Sequence, residues 1–149
     1  QKFGTFDEKK VIIMSKCKPI AWSEALTVNE GRIDNQHKEI FEIINSFVFE
    51  NKSHSGTARL AELLSKLTDY SLVHFKEEEH YMKINKFPLL AEHRLSHKHY
   101  IKKVALFNLN YSNMQPTNAE EVCDFLIKWW TNHILEKDFK DKLHIEQMQ

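Results

Sequence analysis

The chain has 149 residues, and its Lys+Arg and Asp+Glu totals are equal at 21 each. That length carries a single domain with a substantial core, while a formal net charge of zero excludes a general nucleic-acid or polyanion binder, which is clearly basic. Three Gly and three Pro are too few for a turn-rich all-β domain, and no apolar run approaches the roughly 18 residues that span a membrane.

Residues 1–30 lack helical periodicity and are expected to form an extended N-terminal arm, with Trp22 anchoring it to the body of the protein. The VIIM run at 11–14 is too short for a signal-peptide core of about 7–15 residues. The chain begins at Gln1 rather than Met, which fits a processed product or an excised domain. Cys17 and Cys123 lie far apart without a CxxC pattern, so two reduced thiols in a cytoplasmic protein are expected rather than a disulfide.

Four amphipathic segments follow, separated by the turn-forming stretches NKSHSGT, NKFP and YSNMQPTN. The first is expected over 34–49, with Asp34 as N-cap and Ile33, His37, Ile40, Phe41, Ile44 and Phe47 in one stripe. The second, over 57–82, aligns Leu60, Leu63, Leu64, Leu67, Ser71, His74, Glu78 and Met82. The third starts at Pro88, a good first-turn residue, and runs to about 110 with Leu90, His93, His97, Ile101, Val104 and Phe107 inward. The fourth starts near Thr117 or Asn118 and carries Val122, Phe125, Leu126, Trp129 and His133, with a continuation toward Ile145. Short connections between long helices predict an all-α, up-down-up-down antiparallel four-helix bundle.

The histidines are distributed unevenly over these stripes. His37, His74, His93, His97 and His133 all take core-facing positions, and Glu78 is in phase with His74. Residues four apart differ by only about 40° around a helix, so His74 with Glu78 and His93 with His97 each present two ligand atoms from one face. A single buried imidazole is ordinarily satisfied by a hydrogen bond, but five together are hard to satisfy that way, and a shared metal does it. Imidazole with carboxylate suits a transition metal better than magnesium or calcium. Glu136 and Asp138 compete as a second carboxylate. Glu136 is helically in phase with His133, whereas Asp138, five residues on, is rotated by about 140° and needs a bulged backbone such as a π-turn. His54, His80, His99 and His144 read as ordinary solvated histidines, and so do Glu77 and Glu79 beside Glu78 as a solvated face. Asp34 and Gln36 read as cap and surface residues.

The strings IDNQH at 33–37, HFKEEEHYM at 74–82, HRLSH at 93–97 and WTNHILEKD at 130–138 resemble the hemerythrins, most closely their bacterial branch. Trp22, Gly31 and the FP pair before the third string also resemble that family, and the match spans about residues 20–140. The chain then divides into an N-terminal extension at 1–20, a hemerythrin-like domain at 21–140, and at 141–149 a C-terminal tail or a continuation of the last helix.

The resemblance implies two non-haem irons inside the bundle. One is held by His93, His97 and His133, the other by His37 and His74, and Glu78, Asp138 and an oxo or hydroxo group bridge them. It is the resemblance that selects Asp138 over Glu136. One coordination position then stays open on the His37–His74 iron for dioxygen. Trp129, Ile44, Phe41, Leu67 and Ile101 are the expected apolar wall. The implied function is reversible dioxygen binding in sensing, storage or delivery rather than catalysis, with a fused or separate signalling module as a further partner. Two other classes fit less well. Ferritin-like di-iron enzymes use inward Glu-x-x-His motifs, and the one such spacing in the second helix, Glu77 to His80, lies off the ligand stripe. Seven ligands are too many for one tetrahedral zinc.

Overall fold

The computed structural model of the chain describes residues 17–138 and, past them, positions 140, 143, 144 and 147; at 137 and 138 it describes the backbone alone. Residues 1–16, which hold most of the N-terminal extension, lie outside the described residues. Four helices dominate: α1 Gly31–Lys52, α2 Thr57–Ile84, α3 Leu90–Ser112 and α4 Ala119–Asn132. A π-helical turn, His133–Asp138, continues α4, and a single 3-10 turn, Glu24–Leu26, precedes α1. No strand occurs among the described residues. No helix among them is long and apolar enough to cross a membrane.

Local chemistry sets the helix ends. Glu30, not Asp34, caps α1, its carboxylate accepting from the Ile33 amide at 2.8 Å. Asp34 sits inside the first turn and ties back the preceding loop by accepting from the Val28 amide at 2.9 Å and from the Thr27 hydroxyl. Asn118 caps α4 through the Glu120 amide at 2.8 Å, and Glu120 and Glu121 add favourable charge to that helix's positive end. Pro88 lies in the turn before α3 rather than in its first turn, because the chain is still reversing there. Helices α1, α2 and α3 stop by one device. His54, Lys86 and Met114 each take a positive φ just past the helix. The next amide then reaches back to a carbonyl in the last turn: Ser55 to Glu50, Phe87 to Met82 and Gln115 to Asn110.

Contacts run in antiparallel order around the bundle. His37 near the start of α1 meets His74 late in α2, Ser71 of α2 meets Tyr100 of α3, and Phe107 of α3 meets Phe125 of α4. Asn51 at the end of α1 bonds Glu120 at the start of α4, while His37 at the start of α1 lies near Trp130 late in α4. Antiparallel order gathers the beginnings of α1 and α3 with the ends of α2 and α4 at one end of the molecule. The other end and the middle are filled by an apolar core that includes Ile40, Phe47, Leu64, Val104, Phe107 and Leu126, all nearly or fully buried. Burying such side chains contributes about 1.5–3 kcal/mol each, which offsets the entropy lost by the chain.

The segment 17–30 docks on the bundle as expected. The Trp22 ring lies 6.2 Å from the Phe41 ring, with the Lys38 ammonium 5.1 Å from the Trp22 centroid, and the Ile20 backbone exchanges two hydrogen bonds with the Asn45 side-chain amide at 2.7 and 2.8 Å. The cysteines differ from expectation. Cys17 and Cys123 form a disulfide with Cα atoms 5.4 Å apart, and both are fully buried. Sequence separation concealed the pairing because the N-terminal segment folds back across α4. With the thiols bonded, cysteine usage no longer argues for a reducing compartment.

The bond closes a separation of 106 residues, so it restricts the unfolded chain strongly. Cys17→Ser is expected to lower the unfolding free energy by about 2–5 kcal/mol, measured by urea denaturation. Thiol titration of the denatured, unreduced protein should find no free thiol; two would overturn the pairing.

Candidate metal centre

Five imidazoles and one carboxylate meet at the end of the bundle where α1 and α3 begin. His37 comes from α1, His74 and Glu78 from α2, His93 and His97 from α3, and His133 from the first position of the π turn. All six are buried, Glu78 to 3% exposure. The Glu78 carboxylate lies between two sets of rings. Its Oε2 is 2.8 Å from His74 Nε2, and its Oε1 is 2.9 Å from His93 Nε2 and 3.7 Å from His133 Nε2. His37 and His74 bring their Nε2 atoms to 3.1 Å, and His97 and His133 bring theirs to 3.2 Å. The donor atoms form two overlapping groups, His93, His97, His133 with Glu78 and His37, His74 with Glu78, each compact enough to hold a metal ion.

Hydrogen bonds outside the cluster decide which way the lone pairs point. Gln36 donates its amide to Glu77, so its carbonyl oxygen faces His74 and accepts from Nδ1 at 2.7 Å. Glu77 is held in turn by Arg32 at 2.7 Å. On the other side, His97 Nδ1 donates to Glu79 Oε1 at 2.9 Å, and Arg94 holds Glu79 Oε2 at 3.2 Å. A neutral imidazole that donates from Nδ1 presents a bare lone pair at Nε2. His74 and His97 therefore aim lone pairs at a carboxylate and at neighbouring imidazole nitrogens. Such an excess of acceptors in a dry interior is unfavourable until a cation enters, and the donor set fits a transition metal.

The protonation states agree. Burial lowers the His97 imidazole to about 2 and His133 to about 4, and burial followed by the cost of placing a second positive charge beside His74 holds His37 well below its ordinary value. Those three rings are neutral, as ligands must be. Burial on its own raises the Glu78 carboxyl, but the surrounding imidazoles outweigh it and hold the group well below its ordinary value, so it is ionised.

Aromatic rings enclose the cluster. Phe75 stacks on His97 with centroids 3.9 Å apart, and Trp129 stacks on His133 at 4.5 Å. Trp130, fully buried, stands 5.7 Å from His74 and 6.4 Å from His37. Below them the Ser71 and Tyr100 hydroxyls pair at 3.2 Å, and burial pushes the Tyr100 phenol up to about 12. Of the expected wall residues, Phe41, Ile44 and Leu67 are buried in the core, while Trp129 and Ile101 are half-buried.

Several residues are placed otherwise than the stripes indicate. Glu77, Glu79 and Gln36 are not plain surface groups; they orient His74 and His97. A helix turns by about 100° per residue, so the neighbours of an inward Glu78 lean toward α1 on one side and α3 on the other. The uninterrupted Glu77–Glu79 run was the available signal. Trp130 and Phe75 were missed because adjacent residues on a crowded helix both find cover. His54, His80 and His99 are exposed as expected, whereas His144 is half-buried 5.1 Å from the Phe87 ring. Glu136 is exposed. The backbone from His133 to Asp138 forms the π turn that a ligand five residues after His133 requires, and the Asp138 side chain lies outside the described residues.

Fold and site together define an all-α metal-binding bundle whose five clustered histidines come from α1, α2, α3 and the π turn that continues α4. The chain belongs to the hemerythrin family, on its bacterial branch: the model of the hemerythrin HHE cation-binding domain matches residues 30–142. It is 32% identical over 121 residues to the bacteriohemerythrin of Clostridium acetobutylicum, covering 78% of this chain and 94% of that protein. It is 30% identical over 132 residues to the bacteriohemerythrin of Stenotrophomonas maltophilia, covering 86% and 85%. A crystal structure of wild-type hemerythrin superposes with a TM-score of 0.75 at 26% identity, covering 85% of this chain and 95% of that one.

Two outcomes are expected of the site. Gln36→Leu and Glu79→Ala free the outer nitrogens of His74 and His97, and each should weaken metal binding by about 10–100-fold in chelator competition. His80→Ala should leave it unchanged. The metal-free protein should lose stability as pH falls below about 6.5, because the unfolded chain protonates His97 and His133 while the folded protein does not until about 2 and about 4. Each ring contributes a slope of about 1.4 kcal/mol per pH unit in that window. Denaturation midpoints that stay constant from pH 6.5 to 4.5 would contradict the neutral, buried state.

Proposed function

We propose that this protein binds dioxygen reversibly at a non-haem di-iron centre. His93, His97 and His133 hold one iron, His37 and His74 the other, and Glu78 with Asp138 bridges them. The convergence of five imidazole nitrogens on one buried, ionised carboxylate carries the reading. Two ferrous ions, when bound, supply the electrons with which dioxygen is held, and their return on release makes the binding reversible.

The residues supply the rest. Three imidazoles with Glu78 on one side and two with Glu78 on the other make unequal donor sets, so the His37–His74 side has room for a small ligand. Trp130, Phe41, Ile44 and Leu67, all buried, form the apolar wall on that side and keep water away. Trp129 and Ile101 extend the wall outward. With their basicity depressed, His37 and His97 carry no second proton at neutral pH, so neither acts as a general acid beside the site. The π turn at His133–Asp138 supports Asp138 as the second bridge, and the exposure of Glu136 argues against its rival.

In this reading the protein senses, stores or delivers dioxygen, and a fused or separate signalling module is the partner that sensing would need. The relatives named bacteriohemerythrin support an oxygen binder over an enzyme. A di-iron oxidase, peroxidase or nitric-oxide reductase on the same bundle is the alternative.

Iron analysis with visible spectra taken before and after reduction and exposure to air tests the proposal. The expected result is two irons per chain and an oxygenated spectrum that reverses under vacuum. One zinc per chain, or steady consumption of reductant in air, would overturn it. His74→Ala should lose iron or dioxygen binding because its side has only two imidazoles, whereas His80→Ala should retain both; equal loss in the two variants would mean the assignment of faces is wrong.

A further inference from the structure

A groove of ≈ 700 Å³ runs between the outer faces of α2 and α3. Its volume falls within the range of small-molecule sites, about 300–1,000 Å³. Leu72, Phe75 and Ile101 give it an apolar floor, and the stacked pair Phe75–His97 closes its inner wall. Phe75 is buried, Ile101 half-buried and Leu72 48% exposed, so the floor is open to solvent at the Leu72 side.

The charge around this floor departs from the neutral whole. Lys76 and Lys83 line it from α2, and Arg94, Lys98 and Lys102 from α3, against one acid, Glu79. Glu79 is already engaged by Arg94 and by His97. Among the described residues, no carboxylate pairs with Lys76, Lys83, Lys98 or Lys102. Arg94, Lys98 and Lys102 follow one another at four-residue spacing, which puts like charges on neighbouring turns of one face. Like charges so placed repel one another, and the facing lysines of α2 add to it. Flexible lysine stems also cover apolar surface while their ammonium groups stay in water.

We infer that this groove binds a soluble amphipathic carboxylate, with its apolar chain along Leu72, Phe75 and Ile101 and its head group among Lys76, Lys98 and Lys102. The unbalanced positive rim selects the negative head, and the floor rewards a chain that a bare anion lacks. The concave shape between two helices holds a single chain rather than a flat lipid surface. The charged rim of the site is built from outward-facing residues and the site needs no metal, so it stands apart from the dioxygen reading.

Isothermal titration of the metal-free and iron-loaded protein with decanoate, below its micelle-forming concentration, tests the inference. Acetate serves as the head without the chain, and decyltrimethylammonium as the chain with the opposite charge. Saturable one-site binding of decanoate is expected in both forms of the protein, weakened by added salt. The double variant Lys98→Glu/Lys102→Glu and the variant Leu72→Gln should each bind at least tenfold more weakly, while Lys128→Glu on α4 should match the parent. These side chains are exposed, and circular dichroism checks that each variant folds; the salt dependence and the two comparison ligands test the parent protein independently of them. Equal binding of acetate, equal binding of decyltrimethylammonium, indifference to the rim variants, or capture only by phosphatidylglycerol vesicles without binding of decanoate would each overturn the inference.

Discussion

An ionised carboxylate buried among imidazole nitrogens is the constraint on which the rest of this structure depends. Glu78 is almost wholly removed from water, and an isolated charge there costs several kcal/mol. Five rings approach it, and at least two of them present lone pairs rather than protons. Neither side satisfies the other alone. A bound cation satisfies both, so this end of the bundle stores a demand for metal that the apolar end does not have. The antiparallel order of the helices serves it, since it brings His37, His74, His93, His97 and His133 to one level.

That arrangement is held by two outer chains of hydrogen bonds that the bundle supports from opposite sides. Arg32, Glu77 and Gln36 act on His74, and Arg94 and Glu79 act on His97. Both begin at half-exposed or exposed ion pairs, which contribute little to stability by themselves. Their effect is to choose a tautomer. Three consecutive glutamates thus have three destinations, one inward and one toward each adjacent helix. Beneath them the Ser71–Tyr100 hydroxyl pair and the rings of Phe75, Trp129 and Trp130 separate the polar level from a core that is apolar throughout. The disulfide from Cys17 to Cys123 fastens the N-terminal segment on the far side of this core.

Much of this was legible along the chain. The spacings of three and four place four helices, and the same spacings put five histidines and Glu78 on the inward stripes. Helix α2 extends two residues past its expected end and α1 starts three before its expected start, because caps and reversals depend on local hydrogen bonds that periodicity does not register. The departure at His133 was legible only as a conflict: Asp138 is out of phase with His133 on an α-helix, and the backbone between them forms a π turn. Trp130 shows the opposite failure. Its neighbour Trp129 fits the stripe better, yet Trp130 is the ring that is fully buried, since α4 is covered on more than one face.

What the order of residues determined by itself is the periodic part: which residues turn inward, how many helices form, and that six inward groups are metal ligands in kind. Those follow from about 3.6 residues per turn and from the chemistry of imidazole and carboxylate. Tertiary structure alone decided the pairings across helices. It joined Cys17 to Cys123, turned Gln36 and Glu79 toward His74 and His97, and gathered lysines of α2 and α3 on one groove. Each of these depends on distances between residues far apart in the chain, and only the packing of one helix against another sets such distances.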